Sequence, residues 1–369
     1  MSKVLYAASV AVHLRNFHIP YIEALTKRGD EVWVLCSEAY RQEGVEHSVV
    51  LPMKKNLLSP ANLLSAFRAA GLLKKERFDL ICVHTSLAAF VLRLAVLLAG
   101  RGKTRVVNVV HGYLFDENTQ PLLRTLLLGA EKLLRRVTDR VVVMNRCDLE
   151  IAKKYRLGAE VVEIPGVGVD FSRFAGGERE SFRRELGLDD GSLLLLFAGE
   201  FSGRKNQAFL IRAMASLPEN LYLALPGQGN RLEECRRLAR EAGVEGRVFF
   251  PGQCSDLGGW YAAADICVSA SRYEGLPFNI MEGMYAGKPV AASRVKGHTD
   301  LVAEGVGGYL FDWNDREDYC RCIRTLAGDG KLRSEMGEQN RALVLRYGRD
   351  RVFSQVLEAM TGRPLPEAQ

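Results

Sequence analysis

The chain has 369 residues, 47% of them hydrophobic and 25% charged, the balance of a soluble globular protein with room for two domains. The net charge of +6 is uneven: residues 1–165 carry 24 Lys and Arg against 16 Asp and Glu, and residues 166–369 carry 26 against 28. A basic first half suits an anionic substrate or membrane surface, and ordinary surface charge accounts for it equally well. The most apolar run, Ser86 to Gly100, is interrupted by Arg93 and too short to span a bilayer. The N-terminus runs straight into a strand pattern, so no signal peptide is expected. Eight cysteines are scattered without CxxC or metal spacing, which predicts reduced thiols in a cytoplasmic protein.

Strands and helices are predicted to alternate. Lys3–Ala8 reads as a buried strand, Phe17–Arg28 as an amphipathic helix closed by Gly29, and Glu31–Cys36 as the next strand. Ser59-Pro60 opens a helix to about Glu76. The strand Asp79–His84, a helix to Ala99, the strand Arg105–Val110, the helix Pro121–Arg136 and the strand Arg140–Met144 follow. Asn145 with Asp148 marks a helix start, and the strand Glu160–Ile164 ends at Pro165. Pro165–Gly177 is rich in glycine and aperiodic, as expected of an interdomain hinge. After a helix at Arg179–Leu186 the alternation restarts, with strands at Leu193–Ala198, Leu221–Leu225, Arg247–Pro251, Ile266–Ala270 and Pro289–Ser293. Helices are expected from Asn206, from Arg231, up to Ala264, and between Pro277 and Gly287. Arg316–Leu326, Lys331–Tyr347 and Asp350–Met360 read as closing helices, with a frayed tail from Thr361. The prediction is an α/β chain of two Rossmann-like, doubly wound domains facing a cleft. They are residues 1–165 and 166–348, with a last helix and tail over 349–369 that can pack back on the first domain.

Open α/β sheets bind ligands at the carboxyl edge of their strands, so the loops after strands hold the candidates. The stretch Ser271–Ser293 carries Glu274 in a turn and Glu282 about one helical turn further on, beyond Gly275, Leu276 and Pro277. A helix N-terminus there favours phosphate, and the carboxylates suit sugar and ribose hydroxyls. Gly199 ends another strand, and Arg204 and Lys205 follow as cations fit for a diphosphate. A solvated basic turn is the plain alternative for that loop. Gly227 and Gly252 end two further strands, where bare backbone can approach a base or phosphate. In the first domain His111 ends a strand, as does His84, and His13, Arg15, Asn16 and His18 follow the first strand. Lone histidines in such places are more often ordinary loop residues than functional ones. No D-x-D, P-loop, G-x-G-x-x-G after an initial strand, or G-x-S-x-G occurs, which argues against metal-held nucleotide sugars, ATPases, dinucleotide enzymes and α/β-hydrolases.

The paired glutamates in EGLPFNIME, followed by GMYAGKPVAAS, with GEFSGRKNQ, PGQG and IPGVGVD at matching intervals, resemble the retaining GT-B glycosyltransferases of the family 4 group. The first-domain stretches SVAVHLRNFHIPYIEALTKRGDEV and HGYLFDENTQPLLRTLLLGAEKLLRRVTDRVVVMN resemble its capsular and exopolysaccharide branch. The resemblance implies a nucleotide-sugar donor, with UDP expected, on the second domain. Lys205 and Arg204 would hold the diphosphate, Glu282 the ribose and Glu274 the sugar hydroxyls. The backbone of Gly275, Leu276 and Pro277 would line sugar and phosphate, and His111 would sit near the anomeric carbon. His13 or Asn16 would serve the acceptor or phosphate side, because AVHLRN stands where many members have a Gly-Gly loop. Glu200 stands where many members carry Arg. No metal or other cofactor is implied. The expected partners are a glycan or polyprenyl-diphosphate-linked sugar and an anionic membrane surface on the cytoplasmic side, with no nucleic acid. A nucleotide-sugar epimerase and a non-catalytic nucleotide-sugar-binding protein are the alternative functions.

Overall fold

A computed structural model describes residues 1–54, 56, 59–117, 119–174 and 178–363. The end of the expected hinge, residues 175–177, and the tail beyond 363 lie outside the described residues. The chain forms two compact units, Met1–Gly168 with Asp350–Gln369, and Val169–Arg349.

In the first unit the elements are β1 (Lys3–Ala7), α1 (Ala11–Phe17), α2 (Ile19–Lys27), β2 (Glu31–Cys36), β3 (His47–Val50), α3 (Pro60–Glu76), β4 (Leu80–His84), α4 (Ser86–Ala99), β5 (Arg105–Val109), α5 (Pro121–Leu134), β6 (Arg140–Val143), α6 (Arg146–Tyr155) and β7 (Glu160–Glu163). Their seven strands form one parallel sheet in the order β3-β2-β1-β4-β5-β6-β7. The second unit holds α7 (Arg179–Glu185), β8 (Leu193–Leu196), α8 (Gln207–Met214), β9 (Leu221–Ala224), α9 (Leu232–Glu241), β10 (Val248–Phe249), α10 (Leu257–Ala263), β11 (Ile266–Ser269), α11 (Phe278–Tyr285), β12 (Val290–Ser293), α12 (His298–Leu301), β13 (Gly308–Phe311), α13 (Arg316–Gly328) and α14 (Gly330–Val344). Its parallel sheet runs β10-β9-β8-β11-β12-β13. The last helix, α15 (Arg349–Thr361), joins the first unit from Asp350 onward. Together these are the two Rossmann-like α/β layers of a GT-B fold.

Central strands such as LICVH and ICVS are buried along their whole length, because helices cover both sheet faces. Each strand order reverses once, between β1 and β4 in one unit and between β8 and β11 in the other. At such a switch point neighbouring loops leave in opposite directions and open a crevice at the carboxyl edge.

The structure differs from the sequence reading in three places. The helix expected over Phe17–Arg28 is α2, starting at Ile19, and an unexpected helix, α1, precedes it and is parted from it at His18 (φ −122°, ψ −5°). Pro20 has no N–H to continue the earlier helix, and its ring would clash with the carbonyl four residues back. The edge strands β3 and β13 were not expected: β3 is a half-buried four-residue strand, too short for a clear alternation. The four-residue α12 was likewise not expected.

In the first unit, α4 is fastened to α5 by Arg93. Its side chain is wholly buried, and its Nη1 and Nη2 donate to the Glu131 carboxylate at 2.9 and 2.7 Å. Its Nε donates to the Ala89 carbonyl at 3.0 Å. Outside that contact α5 exposes Leu122, Leu123, Leu126 and Leu133, and α3 exposes Leu63, Leu64 and Phe67. Among the described residues no helix is long and apolar enough to cross a membrane. Replacing Arg93 with Met would leave Glu131 without its guanidinium, and we expect a loss of about 3 kcal/mol in urea unfolding. A loss below about 1 kcal/mol, the range of exposed pairs, would show that the pair does not fasten α5.

Candidate functional site

Two loops meet at the switch point of the second sheet. One leaves β8, turns at Gly199 and enters α8 through Asn206, which sits in the left-handed region (φ 57°). The other leaves β11 and reaches α11 through Pro277. The Arg272 N–H donates to the Arg204 carbonyl at 2.9 Å, and the Asn206 side-chain amide donates to the Ala270 carbonyl at 3.2 Å. Between them Glu274 spans both cations, with Oε1 2.7 Å from Lys205 Nζ and Oε2 2.6 Å from Arg204 Nη1. Glu274 and Lys205 are 6% and 8% exposed, so neither charge is held by bulk water. Burial pushes the Glu274 carboxyl up, but Lys205 and then Arg204 outweigh it and bring its pKa from 4.5 to about 2. Burial likewise lowers the Lys205 pKa, and Glu274 opposes that shift.

Glu282 lies on α11, half-buried, with Oε2 2.7 Å from the Tyr261 hydroxyl. Burial raises its pKa, partly offset by the Tyr261 hydrogen bond, Arg173 and Lys205. Pro277 immediately precedes the first residue of α11, Phe278. Gly275, Leu276 and Pro277 form the short link between Glu274 and α11. The strand-end glycines pack backbone on backbone: the Gly227 N–H donates to the Gly252 carbonyl at 2.7 Å, and a Cβ on Gly227 would lie 2.0 Å from the Gly199 carbonyl oxygen. Gly199 also faces the stem of Lys205, its virtual Cβ 3.5 Å from Lys205 Cε. Glu200 is exposed, and only its backbone carbonyl joins the loop, accepting from the Gln207 side chain at 2.9 Å.

All the second-unit candidates thus follow β8, β9, β10 or β11 at one sheet edge. Two neighbours escaped the sequence reading. Tyr261 positions Glu282. His298 is wholly buried, with Nδ1 2.8 Å from the Ser293 carbonyl oxygen and no described partner on Nε2. Burial takes the His298 pKa down to about 4 although Glu274 pulls the other way, so the ring is neutral. The signal available was Gly297-His298 after a buried strand, the same strand-then-glycine pattern as the other loops. A Cβ on Gly297 would lie 2.6 Å from the Gly275 carbonyl oxygen, which brings the two loops into contact.

In the first unit, His13 on α1, His18, His84 at the end of β4 and His111 after β5 gather in one place. His13 and His111 rings stand edge to face with centroids 4.5 Å apart. Burial holds all four pKa values down, that of His13 at about 4. Asn16 is exposed on α1, and no described contact joins it to the rings.

The model of the family "Glycosyl transferases group 1" matches residues 178–343, and that of "Glycosyltransferase Family 4" matches residues 21–173. EpsD of Bacillus subtilis (strain 168), which carries the name of a glycosyltransferase, is 29% identical over 363 residues, covering 96% of this chain and 95% of its own. The UDP-Gal:alpha-D-GlcNAc-diphosphoundecaprenol alpha-1,3-galactosyltransferase of Escherichia coli is 25% identical over 325 residues, with 84% and 83% covered. Among solved structures, HepE of Anabaena in complex with UDP-glucose superposes with a TM-score of 0.80 at 20% identity, over 98% of this chain and 100% of that one.

The lowered pKa of Glu274 has a stability consequence. Its ion pairs contribute fully above pH 4.5 and are lost as the pH falls from there through about 2. Glu274→Gln is therefore expected to be less stable than the parent chain at pH 7, by about 3 kcal/mol, because two cations lose a buried partner. The gap should narrow as urea unfolding is repeated toward pH 3. A gap that stays constant with pH would show that the carboxylate is not held by charge.

Proposed function

Because this chain belongs to the family 4 group of GT-B glycosyltransferases, we propose that it transfers a sugar, with retention of anomeric configuration, from a UDP-sugar to a glycan or polyprenyl-diphosphate-linked sugar during cell-surface polysaccharide synthesis. The observation that carries the donor reading is the Glu274–Arg204–Lys205 cluster. Two cations and one carboxylate leave one net positive charge at a sheet edge, which a diphosphate would neutralise. HepE was crystallised with UDP-glucose, and the Escherichia coli relative is named for a UDP-Gal donor and a diphosphoundecaprenol-linked acceptor. EpsD and the capsular-type stretches of the first domain support the polysaccharide role.

In this reading Lys205 and Arg204 hold the diphosphate, Glu282 the ribose, and Glu274 the sugar hydroxyls once the diphosphate takes over its cations. The backbone of Gly275, Leu276 and Pro277 lines the sugar, while Gly199, Gly227 and Gly252 let base and phosphates approach the main chain. His111 serves the anomeric carbon, and His13 or Asn16 the acceptor side. The bond from the anomeric carbon to the β-phosphate oxygen breaks as the acceptor hydroxyl attacks the same face. The hydroxyl proton goes to the departing phosphate oxygen, so the protein's task is positioning and stabilising the diphosphate. Two fixed cations and the missing D-x-D support a donor phosphate held without a metal. Membership of a transferase family sets the epimerase reading aside. The exposed leucines of α3 and α5, with Arg68, Lys74, Lys132, Arg135 and Arg136 exposed beside them, support docking on the inner face of the plasma membrane.

Lys205→Ala is expected to weaken UDP binding by about 10- to 100-fold in calorimetry, the loss of one charge-assisted hydrogen bond. Unchanged affinity would remove Lys205 from the donor site. Binding of UDP-sugars without product from any lipid-linked or glycan acceptor would sink the transferase reading. Flotation with phosphatidylglycerol liposomes at low salt should carry the chain upward, and Leu122→Asp with Leu126→Asp should abolish it. Failure of the parent chain to float would discard the membrane surface.

A further inference from the structure

Four of the six histidines converge at the switch point of the first sheet, from three separate strand ends. One ring nitrogen from each of His13, His18, His84 and His111 lies within 4.8 Å of the others. We propose that these four imidazoles form a binding site for one divalent transition-metal ion of the zinc class.

The geometry is that of a ligand set slightly opened. His18 Nε2 is 3.2 Å from His13 Nε2, and His84 Nδ1 is 3.2 Å from His111 Nε2. Zinc–nitrogen bonds of about 2.0–2.1 Å at tetrahedral angles put ligand nitrogens about 3.3–3.4 Å apart. Two of the six edges are thus near their bound length, and the remainder must close from at most 4.8 Å.

The outer nitrogens supply a second, independent argument. A metal-bound histidine is usually fixed by a partner on its other ring nitrogen. His18 Nδ1 lies 2.7 Å from the Tyr6 hydroxyl, whose own proton is directed at Met360 Sδ at 3.5 Å. With His18 Nε2 on an ion, the Nδ1–H would donate to the Tyr6 oxygen. His84 Nε2 lies 3.4 Å from Cys82 Sγ, and the Tyr6 ring stacks on His84 with centroids 4.6 Å apart. Both wholly buried rings are held from outside, which leaves His18 Nε2 and His84 Nδ1 turned inward. The inner contacts of the metal-free rings are hydrogen bonds, so binding would move one proton in each pair from the inner to the outer nitrogen of the same ring, and four neutral rings would release none.

The donor chemistry selects the ion. Four neutral imidazoles suit zinc, copper or nickel and do not suit magnesium or calcium, which require oxygen. The neutral imidazole is the form that ligates. His13 and His111 are half-buried while His18 and His84 are wholly buried, so an ion enters from the His13–His111 side. His111 would bind through Nε2 and keep its Nδ1–H, which a bound cation makes the stronger donor.

The test uses the full chain stripped with EDTA, loaded with zinc chloride, desalted and measured for metal content, with cobalt(II) as the spectroscopic probe. One zinc per chain and the intense visible bands of tetrahedral cobalt are expected. His13→Ala and His111→Ala should each weaken zinc by at least about 100-fold, and Tyr6→Phe by about 10-fold. No retained zinc, a pale octahedral cobalt spectrum, or equal retention in the His13→Ala/His111→Ala double variant overturns the proposal. Where circular dichroism shows a variant unfolded, the cobalt spectrum of the parent chain decides. UDP affinity, measured on the same samples, reports separately on the donor site.

Discussion

A buried glutamate and a buried lysine, joined by the half-buried Arg204, impose the local architecture of the second unit. A buried lysine with no anion would give up its proton, and a buried glutamate with no cation would take one. Glu274, Lys205 and Arg204 avoid both by meeting within 2.7 Å. For that meeting to occur, the loop after β8 and the loop after β11 must run side by side, which requires those strands to be neighbours. The backbone bonds from Arg272 and Asn206 and the contact of Gly297 with the Gly275 carbonyl follow from the same convergence. The close approach of Gly227 to Gly199 sets the floor of the edge, where a methyl group has no space.

The two sheet edges solve the same topological problem with opposite chemistry. One gathers full charges that remain ionised because each has a counter-ion. The other gathers imidazoles that remain neutral because burial makes protonation unfavourable. An anion is drawn to the first by its surplus positive charge, whereas the second offers lone pairs to an electron acceptor.

Much of this was legible in the residues. The alternation of apolar runs with amphipathic segments gave both βα series, and the strand-end rule placed Gly199, Arg204, Lys205, Glu274 and Glu282 on loops at one edge. Strand order was not legible, because periodicity reports which face a residue takes and not which strand lies beside it. Glu274 was therefore read as a sugar ligand without its two cations. His18 and His84 were noted singly, since only the adjacency of β1, β4 and β5 joins them to His13 and His111. Tyr261 and His298 were missed because each acts across elements distant in the chain. The short helix α1 was missed because its seven residues stand where a loop is expected after the first strand.

The passage of the chain through its two units carries a temporal consequence. The first unit takes its last helix, α15, from residues beyond the whole of the second. There Phe353 stacks on Tyr21 and Met360 receives the Tyr6 hydroxyl, while Arg140 donates to the carbonyls of Glu358 and Ala359. On a ribosome adding about 5–20 residues per second, the intervening unit takes roughly ten to forty seconds to emerge. Throughout that interval the nascent first unit lacks a wall of its core, and the surface around Tyr6 and Tyr21 stands open to chaperones. The earliest part of the molecule to be made is therefore the last to be finished.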